Sequence, residues 1–152
     1  MPLIHDEAIA AGAFAEDPIE AGTLLGAEEI GAEEIGAGDG LLIEIDGGAD
    51  LEALIPAFDR IALISVCFPS FADGRGFSVA RRLRRYGFEG RLRASGHVIV
   101  DQYAFARECG FDEVAIDDAL AARQPIGLWA GAERAACYRS KVARPQKVAR
   151  AA

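Results

Sequence analysis

The residues best suited to chemistry lie between Ser65 and Asp112. In Asp73-Gly74-Arg75-Gly76-Phe77-Ser78, two glycines let the backbone turn with its amides exposed. Arg75 beside them can grip sulfate, phosphate or a carboxylate by two parallel hydrogen bonds. A helix opening at Phe77 adds first-turn amides and a dipole that favour the same anion. The structural alternative is that Asp73 or Ser78 caps this helix while Arg75 pairs with Asp73 or an acid of the N-terminal segment. A second constellation is Ser95-Gly96-His97, followed by Asp101-Gln102. His97 next to a helix start can serve as general base or hydrogen-bond donor, with Asp73 the other acid–base candidate. Gln102 can turn inward to the loop. A surface or capping role for His97, and a dipole-complementing one for Asp101, are the bland readings of the same residues.

Other chemistries lack their residues. Cys67, Cys109 and Cys137 are odd in number, widely spaced, and form neither a CxxC nor a metal-type group with His5 or His97. Cys67 and Cys109 are expected as packed core thiols, and the protein as reduced and cytoplasmic. No GxSxG elbow occurs. The glycine run at 36–40, GAGDG, precedes the first good strand instead of following one, so it fails as a dinucleotide fingerprint. No metal and no cofactor is evident, though FMN or NADPH could still enter through the anion loop. No apolar run approaches the ~18–20 residues of a membrane span, and the N-terminus lacks the basic flank of a secretory signal.

The elements that must position these residues alternate. Leu41–Ile45 reads as a strand, Asp50 to about Phe58 as a helix, and Ile61–Cys67 as a continuously apolar strand covered on both faces. After the loop 68–76, a helix over 77–86 turns Phe77, Ala80 and Leu83 to the core, its arginines outward, and ends at Gly87. Arg91–Ser95, a helix over 98–109 ending at Gly110, Glu113–Ile116 and a helix capped by Asp117 or Asp118 follow. Pro125 breaks this helix. A last one over 126–138 would pack Trp129 and Tyr138 on the body.

Such alternation predicts an α/β fold of four βα units on a parallel sheet. It is either half of a (βα)8 barrel or a small open doubly wound sheet. The half-barrel would call for a partner, a homodimer, to close it. The α/β domain spans 41–138. It follows an acidic Gly/Ala-rich lead-in over 1–40, read as irregular apart from a short element near Thr23–Leu25. A basic, disordered tail over 139–152 comes last. GAEEI repeats in tandem at 26–35, which is too little for a solenoid. Residues 1–72 hold 15 acids and one base, whereas 73–110 hold eight arginines and four acids. That asymmetry suits local steering of an anion or protein partner, not general nucleic-acid binding, and an unevenly charged solvated surface is its bland reading.

From Phe68 to Asp112 the chain resembles a bacterial family of unknown function that carries the label of an oxidoreductase of sulfite reduction. The resemblance rests on FPSFADGRGFSVARRLRRYGFEGRLRASG, on Asp101-Gln102 and on Cys109-Gly110-Phe111-Asp112. Asp73, Gly74, Arg75, Gly76, Ser78, Arg81, Arg93, Gly96, Asp101, Gln102, Gly110 and Asp112 match its pattern. His97 and Val100 depart from it, where an Asp and an Arg are usual. The resemblance implies a place in assimilatory sulfite reduction beside sulfite reductase, but no catalytic residue. An accessory protein is therefore expected, binding a small oxyanion or that partner enzyme at the carboxyl-terminal rim of the sheet. The rival is a small flavin- or nicotinamide-dependent oxidoreductase using the same rim.

Overall fold

Alternate side chains of the central strands are apolar, and strand pairing brings those positions into rows. The computed structural model describes residues 1–19, 24–26 and 40–132. In chain order they form β1 (Pro2–Ile4), α1 (Asp6–Ala11), β2 (Ala15–Glu16), β3 (Leu25–Gly26) and β4 (Leu41–Ile45). A 3-10 helix (Glu52–Arg60), β5 (Ile61–Phe68), α2 (Arg75–Arg85) and β6 (Arg91–Gly96) follow. A 3-10 turn (Val100–Gln102), α3 (Tyr103–Cys109), β7 (Glu113–Ala115), α4 (Asp118–Arg123) and α5 (Ile126–Ala132) complete the described chain. One seven-stranded sheet has the order β2-β1-β7-β6-β5-β4-β3. Strands β3 to β7 are parallel; β1 is antiparallel to both β7 and β2.

The parallel strands follow one another without reversal. Right-handed crossovers that step the same way put the connections from β4 to β7 on one face. Packing agrees. Ile43, Ile64 and Leu92 share one row, and Ile45, Val66, Ala94 and Val114 share another. Both rows join a single core with Leu54, Phe77, Ala80, Leu83, Tyr103, Ala106, Leu120 and Trp129 from the helical segments. The winding is that of successive barrel units. A doubly wound sheet needs a reversal of strand order, which is missing among the described strands. The edge at β7, through which a half-barrel would close on a homodimeric partner, is occupied by β1.

Local rules explain where elements differ from expectation. Pro56 lies inside the segment expected as an α-helix. It has no amide hydrogen, and its ring crowds the carbonyl four residues back, so the segment winds as a 3-10 helix. The helix expected over 98–109 starts as a 3-10 turn and becomes α-helical at Tyr103. Gly87 ends α2 as expected: at φ +99° it lets its own amide donate to the Arg84 carbonyl and that of Phe88 to the Leu83 carbonyl. Asp117 caps α4, accepting from the Leu120 amide at 2.6 Å. Tyr138, Cys137, the second GAEEI copy and the basic tail lie outside the described residues.

The described part of the lead-in is not irregular. It supplies β1, α1, β2 and β3, and two acids fasten it to the body. Asp6 accepts from the Tyr103 hydroxyl (2.7 Å) and from Arg107 (2.8 Å). Asp17 accepts from Arg93 Nη1 and Nη2 at 2.7 and 2.9 Å, while Arg93 Nε donates to Glu113 at 2.8 Å. All three side chains of the latter cluster are buried. Removing one member of such a buried cluster strands the remaining charges. Arg93→Met should therefore cost about 3–5 kcal/mol, read by urea unfolding. A loss within about 0.5 kcal/mol, the usual size of a neutral surface change, would show that the cluster is not buried in solution.

Candidate functional site

The β5–α2 loop, the strongest anion candidate in the sequence, lies at the carboxyl-terminal rim as topology requires, but its arginine is engaged. Arg75 Nε and Nη2 donate to the two carboxylate oxygens of Asp73 at 3.0 and 2.8 Å, and its amide donates to the same side chain at 3.2 Å. Hydrogen bonding from Arg75 holds the Asp73 carboxyl below the usual carboxylate range, and Asp73 in turn raises the Arg75 guanidinium. Ser78 is exposed on α2. The two glycines of the loop differ in purpose. Gly74 is the helix N-cap at φ −81°, with open space where a side chain would go. Gly76 faces the Phe68 ring, and a Cβ there would sit 2.4 Å from it.

The β6 end of the rim is also tied by its own residues. Gly96, at φ +103°, runs so close to β5 that a Cβ would meet the Phe68 carbonyl oxygen at 2.6 Å. Gln102 accepts from the Ile99 amide (3.2 Å) and donates to the Phe71 carbonyl (2.7 Å), bracing the β5 loop against the β6 loop. Its amide group is thus consumed by the scaffold. His97 remains exposed. With Phe71, Ile99, Leu120, Arg123 and Gln124 it lines a rim cavity of about 380 Å³. Gln124 accepts from the Val100 amide at 2.8 Å, and its Nε2 is buried without a partner among the described residues. Of the residues expected at the anion site, only His97 reaches this cavity; Arg123 and Gln124 join it from the end of α4.

The face of the sheet opposite the helices carries a different chemistry. Register sets Glu44, Ser65, Arg93 and Glu113 side by side, and Cys67, Ser95 and Ala115 in the next row. A cavity of about 670 Å³ lies over them, lined also by Asp17 and Asp46. Burial first, then the charges of Glu44 and Asp46, push the Cys67 thiol up, which disfavours the thiolate needed of a nucleophile. Cys109 is buried in the helix-side core, so the two described cysteines do not form a redox pair. No group of His, Cys, Asp and Glu able to hold a metal ion occurs among the described residues. Sequence reasoning missed this face because Glu44 and Ser65 stand singly in apolar strands. The available signal was their alternation with Ile43, Ile45, Ile64 and Val66, repeated by Arg91, Arg93 and Ser95.

No helix among the described residues is long and apolar enough to cross a membrane. A family model described as a bacterial protein of unknown function (DUF934) matches residues 42–148. No curated protein and no solved structure matches the chain.

The rim geometry makes two predictions. Gly76→Ala should destabilise the fold by about 1–3 kcal/mol through overpacking on Phe68, whereas Gly74→Ala should leave the urea midpoint nearly unchanged; equal effects would refute the packing role. By NMR the Asp73 carboxyl should titrate below the ordinary value of about 3.9. Arg75→Gln should return it upward, and an unchanged titration would mean that the pair does not persist in solution.

Proposed function

The chain belongs to this bacterial family of unknown function, and from that premise we propose that it is an accessory protein of assimilatory sulfite reduction that binds a small oxyanion at the carboxyl-terminal rim of its sheet. The observation that carries the reading is the rim cavity, where His97, Arg123 and the unpartnered Nε2 of Gln124 gather around an apolar floor. A buried donor left without an acceptor costs about 1–3 kcal/mol, which an oxyanion would recover. Arg123 has no hydrogen-bond or ion-pair partner among the described residues, so its guanidinium is available to such a ligand.

The link to sulfite rests on the resemblance of the 68–112 block. That block supplies Phe71, His97 and Ile99 to the cavity. His97 is also a point of departure from the pattern. Exchanging an aspartate there for an imidazole replaces a negative acceptor by a group that can donate, and this favours an anion. Arg75 would contribute only by leaving Asp73. The pair is exposed, where water and salt screen it, so that exchange is open to a strongly accepting ligand.

Thermal unfolding with sulfite, sulfate, phosphate, FMN and NADPH tests the reading. Sulfite should raise Tm, as any ligand selective for the folded state does. Arg123→Ala or Gln124→Glu should weaken binding about tenfold or more, because each removes a donor to a charged ligand. The Glu side chain keeps an oxygen for the Val100 amide and so spares the fold. No response to any of the three anions would overturn the proposal. A response confined to FMN or NADPH would replace it with the oxidoreductase reading at this rim.

A further inference from the structure

We propose that the cavity over the face of the sheet opposite the described helices binds a small organic cation, a primary ammonium or guanidinium compound, between Glu44 and Ser65. This site is independent of the rim: it shares no lining residue with the rim cavity, and its charge has the opposite sign. The side chains around it include three carboxylates, Asp17, Glu44 and Asp46, against one guanidinium, Arg93. That guanidinium is already spent on Asp17 and on Glu113 beneath it. An anion would thus meet repulsion that Arg93 is not free to offset. A cation would enter a negative field focused by the low-dielectric sheet behind it.

Two groups in this cavity lack protein partners among the described residues. The Ser65 hydroxyl is fully buried, at 0 % exposure, and makes no hydrogen bond. A buried hydroxyl in that condition is costly, and its position between Glu44 and Arg93 puts it at the floor of the cavity. The Glu44 carboxylate, in the same row, has no hydrogen bond or ion pair among the described residues. An ammonium offers several N–H donors and no acceptor. It would satisfy Glu44 and the Ser65 oxygen together, and at about 670 Å³ the cavity has room for the carbon chain behind it. The Cys67 thiol, pushed up first by burial and then by the charges of Glu44 and Asp46, stands beside the same carboxylates. A divalent metal fits less well, since no cluster of metal-type ligands occurs among the described residues.

Agmatine and spermidine serve as probes, with succinate and 1,4-butanediol as anionic and neutral controls of similar length. Calorimetric titration should show binding of at least one cation and of neither control. The bound cation should also slow iodoacetamide alkylation of Cys67, followed on its own peptide. Glu44→Gln should weaken binding about tenfold, and Ser65→Ala by several fold. Glu44 is exposed, so its variant should retain the wild-type urea midpoint. Binding that is unchanged in Glu44→Gln, or that leaves Cys67 alkylation unaltered, would mark diffuse attraction to an acidic protein and overturn the proposal. Absence of binding by both cations at about 10 mM, weaker than the millimolar affinities worth about 4 kcal/mol, would do so as well.

Discussion

The Arg93 guanidinium, held between Asp17 and Glu113, is the interaction on which the rest of the structure depends. It uses three of its nitrogens at once, Nε toward β7 and the two terminal ones toward the segment after β2. A lysine could not replace it, because one ammonium point charge cannot span two carboxylates in the plane of a fork. Arg91 reaches Glu113 from the same strand, so the acid is shared by two arginines on one face. Buried ion pairs repay little net stability, since desolvation consumes most of the Coulombic gain. What they do well is reject alternatives. A slip of one residue in β6 would turn Arg93 into the helix-side core, where Leu92 and Ala94 belong. The cluster thus fixes register, strand order at β6–β7, and the position of the N-terminal segment in one step.

That choice of register separates the sheet into two surfaces. One is apolar and carries every helical segment of the described chain. The other bears Glu44, Ser65, Cys67, Arg93 and Ser95 beneath a cavity. The rim, where the strands end, is a third environment, whose cavity is lined by His97, Arg123 and Gln124 among apolar side chains. Phe68 connects it to the core: its ring lies 5.0 Å from that of Phe77 and 5.8 Å from that of Phe111. Gly76 and Gly96 are both pressed against this one residue, by its ring and by its carbonyl. The glycines of the loop therefore set how close α2 and the β6 turn can approach β5. This packing explains Gly76 better than an anion does.

The fold from Leu41 to Arg123 was legible because its elements announce themselves locally. Strands β4 and β5 are apolar runs, α2 shows helical spacing, and Gly87 and Gly110 stop helices where expected. The N-terminal elements were not legible. Strands of two or three residues such as β2 and β1 are too short for any periodicity, and they exist because an edge of the sheet was available to pair with. Asp17 and Arg93 lie 76 residues apart, a separation that no spacing rule reaches. The site was legible in proportion to its locality. The Asp73–Arg75 pair spans two residues and was foreseen as the structural alternative. The bond from Gln102 to the Phe71 carbonyl was foreseen as an inward turn, but it joins two loops instead of facing a ligand. Glu44 and Ser65 needed the register of two strands before they became neighbours.

The charge asymmetry of the sequence takes a different meaning in the folded chain. An acidic head beside a basic middle suggested steering of something from outside. Two of the acids instead neutralise arginines of the middle segment, Asp6 with Arg107 and Asp17 with Arg93. Arg84 is consumed by the carbonyls of Phe88, Gly90 and Gly110 and by Asp112. Arg75 holds Asp73, Arg82 donates to the Tyr86 hydroxyl, and Arg81 stacks over Phe105 at 5.2 Å. Much of the apparent basic stripe is therefore internal mortar, and five of its arginines meet a carboxylate of the same chain. Attraction between head and middle acts within one chain, where the effective concentration is set by the linking segments and no binding entropy of association is lost. The anion proposed for the rim would then draw first on cations outside that network. At the rim this leaves Arg123, which stands beyond the basic segment at the end of α4.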